Sequence, residues 1–401
     1  GGQTYGGAVV LGASQELSSG GGQPMSFGGT LDGGFDLTLR SGNGAIVLNG
    51  AVSVRSLTVE SGSIDVNASI SALQDIRMRS TSGNIVINPL RRPDVRITSG
   101  GEMGLESAGS IFVIDSVVNS QDTLSMTAAR EFDGDGSSIT TNRGVISLTA
   151  ATVRVFLLNS FLAPPSPDGL VVSIRATIGD ITLGAVRARR GTIRLTADRG
   201  GILNSDNPDG TSVRFTDLEI DPDAVPDGFF PVFGETCRLE IEAGGPGVRP
   251  FGNSAEPVAV GHYRREAVET GALQTRVDSI SVRAATGSIR ILNARYADRD
   301  QEFDRTLFIN EAQTGRGNIT ITHFGNSGMI VRTPGGDGGG RGIRAGDFFG
   351  ENPGNVLLVS NGGIVLGDGG FRPALPTIMS SRDGLVALLD LDLRAPGRGD
   401  F

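Results

Sequence analysis

The chain has 401 residues, 61 of them glycine, and a formal net charge of −9 at pH 7. It contains no lysine, so its 35 basic residues are all arginine, and it has 2 histidines and 1 cysteine. This composition excludes lysine Schiff-base and P-loop chemistry and an internal disulfide, and the acidic balance disfavours a nucleic-acid partner.

The start of the chain, GGQTYGG, has neither a methionine nor a signal-like segment. We therefore expect a processed product or a piece of a longer protein, with any export signal encoded upstream. The longest markedly apolar stretch, at 155–163, is too short for a membrane span, which needs about 20 residues. No membrane span is predicted.

Short runs of alternating apolar and polar residues recur along the chain, separated by small polar residues and glycine. Examples are SLTVESGSIDVNASI at 56–70, DIRMRSTSGNIVINPL at 75–90 and SISVRAATGSIRIL at 279–292. Alternation with a period of two predicts β-strands with one buried face, whereas helical spacing is sustained nowhere.

A second phrase fixes the phase of the repeat, because five segments superpose on Gly6, Gly28, Asn49, Asn67 and Asn88 with steps of 22, 21, 18 and 21 residues. A period near 20 made of short strands and tight turns is typical of one coil of a parallel solenoid. The predicted fold is all-β, a right-handed parallel β-helix (β-solenoid) with coils of about 20 residues, interrupted by loop insertions.

The alternation also assigns an inward face. The side chains expected to point inward are Leu57, Val59, Ile64, Val66, Ile76, Met78, Ile85 and Ile87. The serines, threonines and arginines between them are expected to point outward. Asn49, Asn67 and Asn88 would stack at one corner, either as an amide ladder or simply as turn-forming residues.

The repeat becomes less regular after about residue 92. Gly109, Gly144 and Gly179 are 35 residues apart, a step that suggests loops or extra strands inserted at the corners. Residues 203–276 are rich in proline, glycine and acidic residues and carry no clear repeat. The predicted organisation is therefore solenoid coils over 1–202, an insertion or small subdomain over 203–276, and continued coils over 277–401.

The phrases YGGAVVLG, FGGTLDGGFDLTL and GAIVLNGAVSVRSLTVESG resemble the repeats of large bacterial surface proteins of the filamentous-haemagglutinin kind. Weaker similarity covers roughly two thirds of the chain. The resemblance implies a right-handed β-helix and an exported adhesin, sheath or filament component, and it supplies no catalytic residues. The 203–276 segment departs from a uniform shaft.

Two acidic clusters are candidate calcium sites, because hard cations need several oxygen ligands at close range. Asp133 and Asp135 lie two residues apart among glycines. The second cluster, which is the metal site we predict, consists of Asp217, Asp221, Asp223 and Asp227. Neither completes a calcium-loop pattern, so solvated turns are the alternative, and no other cofactor is predicted.

An enzymatic alternative is a carbohydrate-active β-helix, a polysaccharide lyase or hydrolase using paired carboxylates or an arginine on one exposed face. Its candidate residues are Arg175, Asp180, Arg187, Arg189, Arg190, Arg194 and Asp198. Two carboxylates roughly 5–10 Å apart beside an arginine in a groove would favour it.

The remaining chemically notable residues have structural interpretations. His262 and His323 share no ligand spacing, and Cys237 alternates with apolar residues as a small buried side chain does. Arg398, Gly399 and Asp400 form an integrin-type tripeptide of the kind that arises by chance. Asn67 and Asn318 lie in glycosylation sequons.

The function we predict is that of a non-enzymatic structural or adhesive protein, extracellular or on the cell surface. The expected partners are other copies of the chain, end to end or laterally, with a surface polysaccharide or the surface of a host or neighbouring cell as further candidates. The physical motive is that a solenoid has open ends whose strand edges must be paired or capped.

Overall fold

The computed structural model describes residues 1–161, 169–188, 191–204, 218–220, 237–246, 273–286, 289–294, 306–314, 318–324, 328–332, 342–345, 356–360, 364–366, 379–381 and 386–390. This part of the chain is an all-β parallel solenoid of about 10 turns, with equivalent positions about 21 residues apart. The predicted fold class is confirmed. The chain divides into two compact units, Gly1–Ala163 with Val171–Thr177 and Pro164–Leu170 with Ile178–Phe401.

The first unit consists of short strands and one 3-10 turn, Gly20–Gly22. In chain order its strands are β1 (Gln3–Tyr5), β2 (Val9–Val10), β3 (Gln15–Ser18), β4 (Met25–Phe27), β5 (Leu31–Asp32), β6 (Asp36–Arg40), β7 (Ala45–Leu48), β8 (Val52–Val54), β9 (Ser56–Ser61), β10 (Ser63–Val66), β11 (Ile70–Ala72), β12 (Ile76–Ser80), β13 (Ile85–Ile87), β14 (Arg96–Ser99), β15 (Met103–Ser107), β16 (Ile111–Val113), β17 (Val117–Ser120), β18 (Leu124–Ala128), β19 (Glu131–Thr141), β20 (Ile146–Ala150), β21 (Thr152–Ser160) and β22 (Leu170–Ala176).

Each coil of the first unit contributes one strand to each of three parallel faces. Face 1 stacks β3, β6, β9, β12, β15, β18, β20 and β22. Face 2 stacks β1, β4, β7, β10, β13 and β16, then the first parts of β19 and β21. Face 3 stacks β2, β5, β8, β11, β14 and β17, then the second parts of β19 and β21.

The inward side chains of the three faces form the core. All eight residues predicted to point inward are at most 1 % exposed. The residues between them, such as Thr58, Arg77 and Arg79, are half-buried or exposed. The predicted alternation is confirmed, and it follows from the period of two that strand geometry imposes.

Serines at the coil corners are buried, which the alternation alone did not predict. Ser61, Ser80 and Ser107 stack in register at the end of face 1. The Ser80 hydroxyl donates to the carbonyl oxygens of Gly62 (2.7 Å) and Gly83 (2.8 Å). These hydroxyls satisfy carbonyl groups that the turn between two faces leaves outside the strand ladder.

The predicted phase of the repeat is confirmed by the register of face 2. Tyr5, Phe27, Leu48, Val66 and Ile87, the residues before the five superposed positions, stack one above another. The next corner position brings Gly7, Gly29 and Gly50 together, and a Cβ at Gly29 or Gly50 would overlap the backbone of the preceding coil. Glycine is needed there because two backbones meet.

After residue 92 the first unit contains nearly regular coils bounded by insertions, the first around 88–95 and the second within the 26-residue step from Ile146 to Val172. Ile85 pairs with Ile111 because of an insertion around 88–95. Beyond it the steps between paired residues are again 21 or 22, as for Met103 with Leu124, Leu124 with Ile146 and Phe132 with Val153. The 35-residue glycine step is not a coil length, because Gly109 follows face 1 and Gly144 precedes it. The 35-residue spacing therefore relates glycines at different corners of the coil.

The described strands of the second unit also pair in parallel. They are β23 (Ile181–Ala188), β24 (Gly191–Ala197), β25 (Ile202–Asn204), β26 (Leu218–Ile220), β27 (Cys237–Pro246), β28 (Leu273–Arg276), β29 (Ser279–Thr286), β30 (Ile289–Ala294), β31 (Leu307–Thr314), β32 (Ile319–Phe324), β33 (Met329–Val331), β34 (Gly342–Ala345), β35 (Val356–Ser360), β36 (Ile364–Leu366), β37 (Met379–Ser381) and β38 (Val386–Asp390). Strands β26 to β28 belong to the 203–276 segment and join the ladders through β23, β24, β29 and β30.

Candidate functional site

The outer surface of face 1 carries a ladder of alternating charges across successive coils. Arg40 pairs with Glu16 (3.3 Å) and with Glu60, and Arg79 pairs with Glu60 (4.0 Å) and Glu106 (3.7 Å). Each arginine therefore lies between two carboxylates that belong to different coils. The charges balance locally, although ion pairs this exposed stabilise a protein little.

A second charged row runs along the edge of the same face. The Arg77 guanidinium lies 3.6 Å from the Asp75 carboxylate and 3.9 Å from that of Glu102. Arg77 and Arg79 are both outward residues of β12, so the two rows are about 7 Å apart, the distance between alternate residues of a strand.

An open cleft of about 670 Å³ lies between these rows. Gly104 of β15 stacks on Arg77 of β12 and is followed by Ser125 of β18. Because Gly104 has no side chain, the row is interrupted there, and a Cβ at this position would have nothing within 4 Å. The cleft is lined by Thr58, Glu60, Arg77, Arg79, Glu102, Gly104, Glu106, Thr123, Ser125 and Thr127, with the backbone of the intervening inward residues as its floor.

The outer surface of face 2 is chemically different. One register row there contains Val47, Asp65, Val86, Phe112 and Asp133 in consecutive strands. Burial raises the pKa of Asp65, and burial likewise raises the pKa of Asp133, against the opposing effect of Arg154. Asp65 lies between two valines, whereas Asp133 has Phe112 on one side and Arg154 on the other.

The first predicted calcium cluster is divided between two arginines. Asp135 accepts a hydrogen bond of 3.0 Å from Arg91, whose guanidinium also donates to Asp115 at 2.7 Å. Asp133 lies 3.7 Å from Arg154 on the next coil. Among the described residues there is no group of three potential metal ligands. Asp133 and Asp135 are thus paired with different arginines, and calcium binding by them stays a prediction.

The second calcium cluster, Asp217, Asp221, Asp223 and Asp227, lies outside the described residues. It therefore stays a prediction from the sequence.

The predicted asparagine ladder forms over two coils and then ends. Asn67 Nδ2 donates to Asn49 Oδ1 at 3.0 Å. Asn88 adopts a left-handed conformation with φ 60°, and its amide instead donates to the carbonyls of Arg92 and Ile114, both at 3.0 Å. The insertion that follows Asn88 is the reason, because its turn needs the amide that the ladder would have used.

The residues of the enzymatic alternative are not gathered into a described site. Asp180 Oδ1 accepts a hydrogen bond of 2.7 Å from the backbone N–H of Gly201 and so serves a coil corner. Arg175 and Arg194 are outward, exposed residues of β22 and β24. Asp198 is half-buried after β24. Arg189, Arg190 and the side chain of Arg187 lie outside what the structure describes.

The remaining sequence candidates are structural or undescribed. His323 is 1 % exposed, and its Nδ1 lies 3.2 Å from the Asn293 amide nitrogen, as expected for a structural histidine. Asn67 is buried at its corner, and Asn318 directly precedes β32. Cys237 begins β27, but its side chain is not described. His262 and the tripeptide at 398–400 lie outside the described residues.

Sequence reasoning missed the cleft at Gly104. Its signal was present, since Gly104 is a glycine at an outward strand position between Met103 and Leu105, which alternate inward. Glycine is unusual within a strand and often marks a close approach by another group. Its neighbours Arg77 and Ser125 could not be identified without the register.

The stacked parallel coils define this chain as a β-solenoid repeat protein. Comparisons with protein-family models, curated proteins and solved structures find no match to it. In the described part of the chain, no helix has the length and apolar character needed to cross a membrane.

Proposed function

We propose that this chain is a non-enzymatic structural or adhesive protein of the cell surface, a solenoid that associates with copies of itself within a larger extracellular filament, sheath or adhesin. The similarity of residues 1–90 to the repeats of filamentous-haemagglutinin-like proteins supports this role. The proposal is carried by one observation, the stacking of coils through continuous parallel ladders, which the edge of β1, β2 and β3 can extend to another coil of the same protein or of a copy.

The first coil has a neighbour on one side of each strand. Among the described residues, β1, β2 and β3 pair only with β4, β5 and β6. Their other edges present N–H and C=O groups ready to pair with another chain. The coil also presents apolar side chains there, since the inward Tyr5 and Val9 are half-buried whereas their counterparts Phe27 and Leu31 in the next coil are 1 % exposed. A further coil would bury both kinds of group.

Gly7 supports the same conclusion. At the equivalent positions Gly29 and Gly50, a Cβ would overlap the preceding coil, whereas a Cβ at Gly7 would meet nothing within 4 Å. Gly7 does not have a positive φ either. Its lack of a side chain is therefore accounted for if the backbone of another solenoid coil packs against it as Gly7 packs against Gly29. Residues that precede this sequence, or a second copy of the protein, can provide that coil.

The test is small-angle scattering of the 401-residue chain over a micromolar concentration series, with electron microscopy of the same samples. We expect end-to-end association that Gly7→Val weakens at least tenfold without lowering the melting temperature. Gly34→Val is the matched control, because Gly34 is equally open but lies away from the edge. A strictly monomeric wild-type chain, or a Gly7→Val variant that associates as well as the control, would contradict the proposal.

The cleft on face 1 meets part of the geometry that the carbohydrate-active alternative requires. Glu60 and Glu106 lie two strands apart on either side of Arg79, a separation of about 10 Å from strand spacing. However, their side chains are 33 % and 62 % exposed, whereas a general acid has to be withdrawn from water. The arrangement favours binding over hydrolysis.

A further inference from the structure

We propose that the cleft at Gly104 binds an uncharged oligosaccharide segment. This inference rests on the proposed adhesive function and names a ligand class and a site for it. Its three supports are the shape of the cleft, the mixture of donors and acceptors around it, and its charge.

The cleft spans four strands of face 1, β9, β12, β15 and β18, and Gly104 is the residue in it without a side chain. The neighbours of Gly104 on face 1 are Arg77 below and Ser125 above, so the gap is flanked by a long side chain and a short one. Its volume of about 670 Å³ lies within the usual range for small-ligand sites. The floor is strand backbone whose polar groups are already paired, so the ligand has to bond to the walls.

The walls offer both donors and acceptors in alternation. Arg77 and Arg79 supply guanidinium N–H groups, and Glu60, Glu102 and Glu106 supply carboxylate oxygens. The distances from Arg77 to Glu102 (3.9 Å) and from Arg79 to Glu106 (3.7 Å) exceed hydrogen-bond length. These groups can therefore bond to a ligand. A hydroxyl suits this arrangement, because it donates to a carboxylate and accepts from a guanidinium at the same time.

The charge selects against ionic ligands. Three carboxylates and two guanidinium groups line the cleft, an excess of one negative charge, so an acidic glycan or a nucleic acid meets weak net repulsion. A cationic ligand would have to displace the arginines from the carboxylates that they already neutralise. A neutral polyhydroxyl chain displaces neither the arginines nor the carboxylates from their ion pairs.

Affinity at one cleft is expected to be modest, because no aromatic residue lines it to stack on a sugar ring. A self-associated solenoid would present the cleft repeatedly at a fixed spacing. Binding of a polymer would then gain from multivalency without any new contact. This links weak recognition at the cleft to the association proposed above.

The test uses the full chain and isothermal titration with neutral hexasaccharides of glucose, xylose, mannose and galactose, with oligogalacturonate as the acidic counterpart. We expect at least one neutral hexasaccharide to bind in the millimolar range or tighter, and oligogalacturonate at least tenfold more weakly. Gly104→Val places an isopropyl group inside the cleft and should weaken binding at least tenfold, with an unchanged melting temperature because space is open there.

Ser147→Val is the matched control, since Ser147 lies in the same outward row two strands beyond Gly104 and does not line the cleft. The inference is wrong if no neutral hexasaccharide binds, if oligogalacturonate binds more tightly, or if Gly104→Val and Ser147→Val bind alike. Scattering on the same samples separates the two proposals. Association without binding overturns the ligand site alone, and binding by a monomer overturns the self-association alone.

Discussion

Faces 1 and 2 of the first unit share one apolar core but hold their charged side chains in different surroundings. On face 1, Arg79 lies between Glu60 and Glu106, and all three remain partly in water. On face 2, Asp65 stacks between Val47 and Val86, and burial raises its pKa. The same coil therefore places one set of ions in mutual pairs and another among apolar side chains.

This difference shows that the fold constrains the inside of a coil and leaves the outside to local sequence. Any outward residue is compatible with strand geometry, so each face can acquire its own chemistry. Face 1 becomes a hydrated surface of balanced charge with a gap in it. Face 2 holds carboxyls whose ionisation opposes folding.

The largest effect on stability is expected from substitutions in the apolar core, which the two faces share. Leu57→Ala beneath face 1 and Ile64→Ala beneath face 2 should each lower the free energy of unfolding by about 3 kcal/mol, because both side chains are at most 1 % exposed and neither cavity can collapse easily. Chemical denaturation measures both variants. A loss confined to one variant would show that the two faces do not share a single core.

A smaller effect of opposite sign is expected from Asp65→Asn. A pKa raised above its usual 3.8 by burial means that the folded wild-type protein loses stability as the pH rises from the unfolded pKa through the folded one. Asp65→Asn should therefore stabilise the protein at pH 7, within the roughly 0.5 kcal/mol typical of surface substitutions. The gain should disappear at pH 3.

Asp36→Asn is the control for this experiment. Hydrogen bonding to Arg55 lowers the pKa of Asp36, so its contribution is present above the unfolded pKa and is lost as the pH falls through the folded one. We expect this substitution to destabilise at pH 7 and to be neutral at low pH. In thermal melts the two variants should shift the melting temperature in opposite directions at pH 7 and leave it nearly unchanged at pH 3; equal signs at pH 7 would refute the contrast between paired and isolated carboxyls.

The smallest effect is expected from Arg79→Gln on face 1. Its two ion pairs are 3.7 and 4.0 Å long and exposed, so the loss should be below about 1 kcal/mol and should shrink further in 1 M salt. Denaturation at low and high salt measures this. A salt-insensitive loss of 2 kcal/mol or more would mean that the ladder, rather than the core, holds neighbouring coils together.

The fold was predictable from the sequence because its signals are local. Alternation identified Ile64, Val66, Ile85 and Ile87 as inward residues, and the corner residues from Gly6 to Asn88 fixed the phase. The nearly regular coils between the insertions after residue 92 were not predicted, since Gly109 and Gly144 belong to different corners. The candidate cleft was not predicted either, because Gly104 is notable only beside Arg77 and Ser125.

The sequence by itself therefore determined the strands, the coil length and the inward set, because periodicity and turn residues act over a few positions. Tertiary structure decided which charges meet, as where Arg91 bonds to Asp115 and Asp135, 24 and 44 residues further along the chain. Coil lengths in the first unit vary from 18 residues between Leu48 and Val66 to 27 between Ile76 and Met103. Which outward residues become neighbours depends on the register of the stacked strands. Because the coils differ in length, that register cannot be obtained by counting residues along the chain.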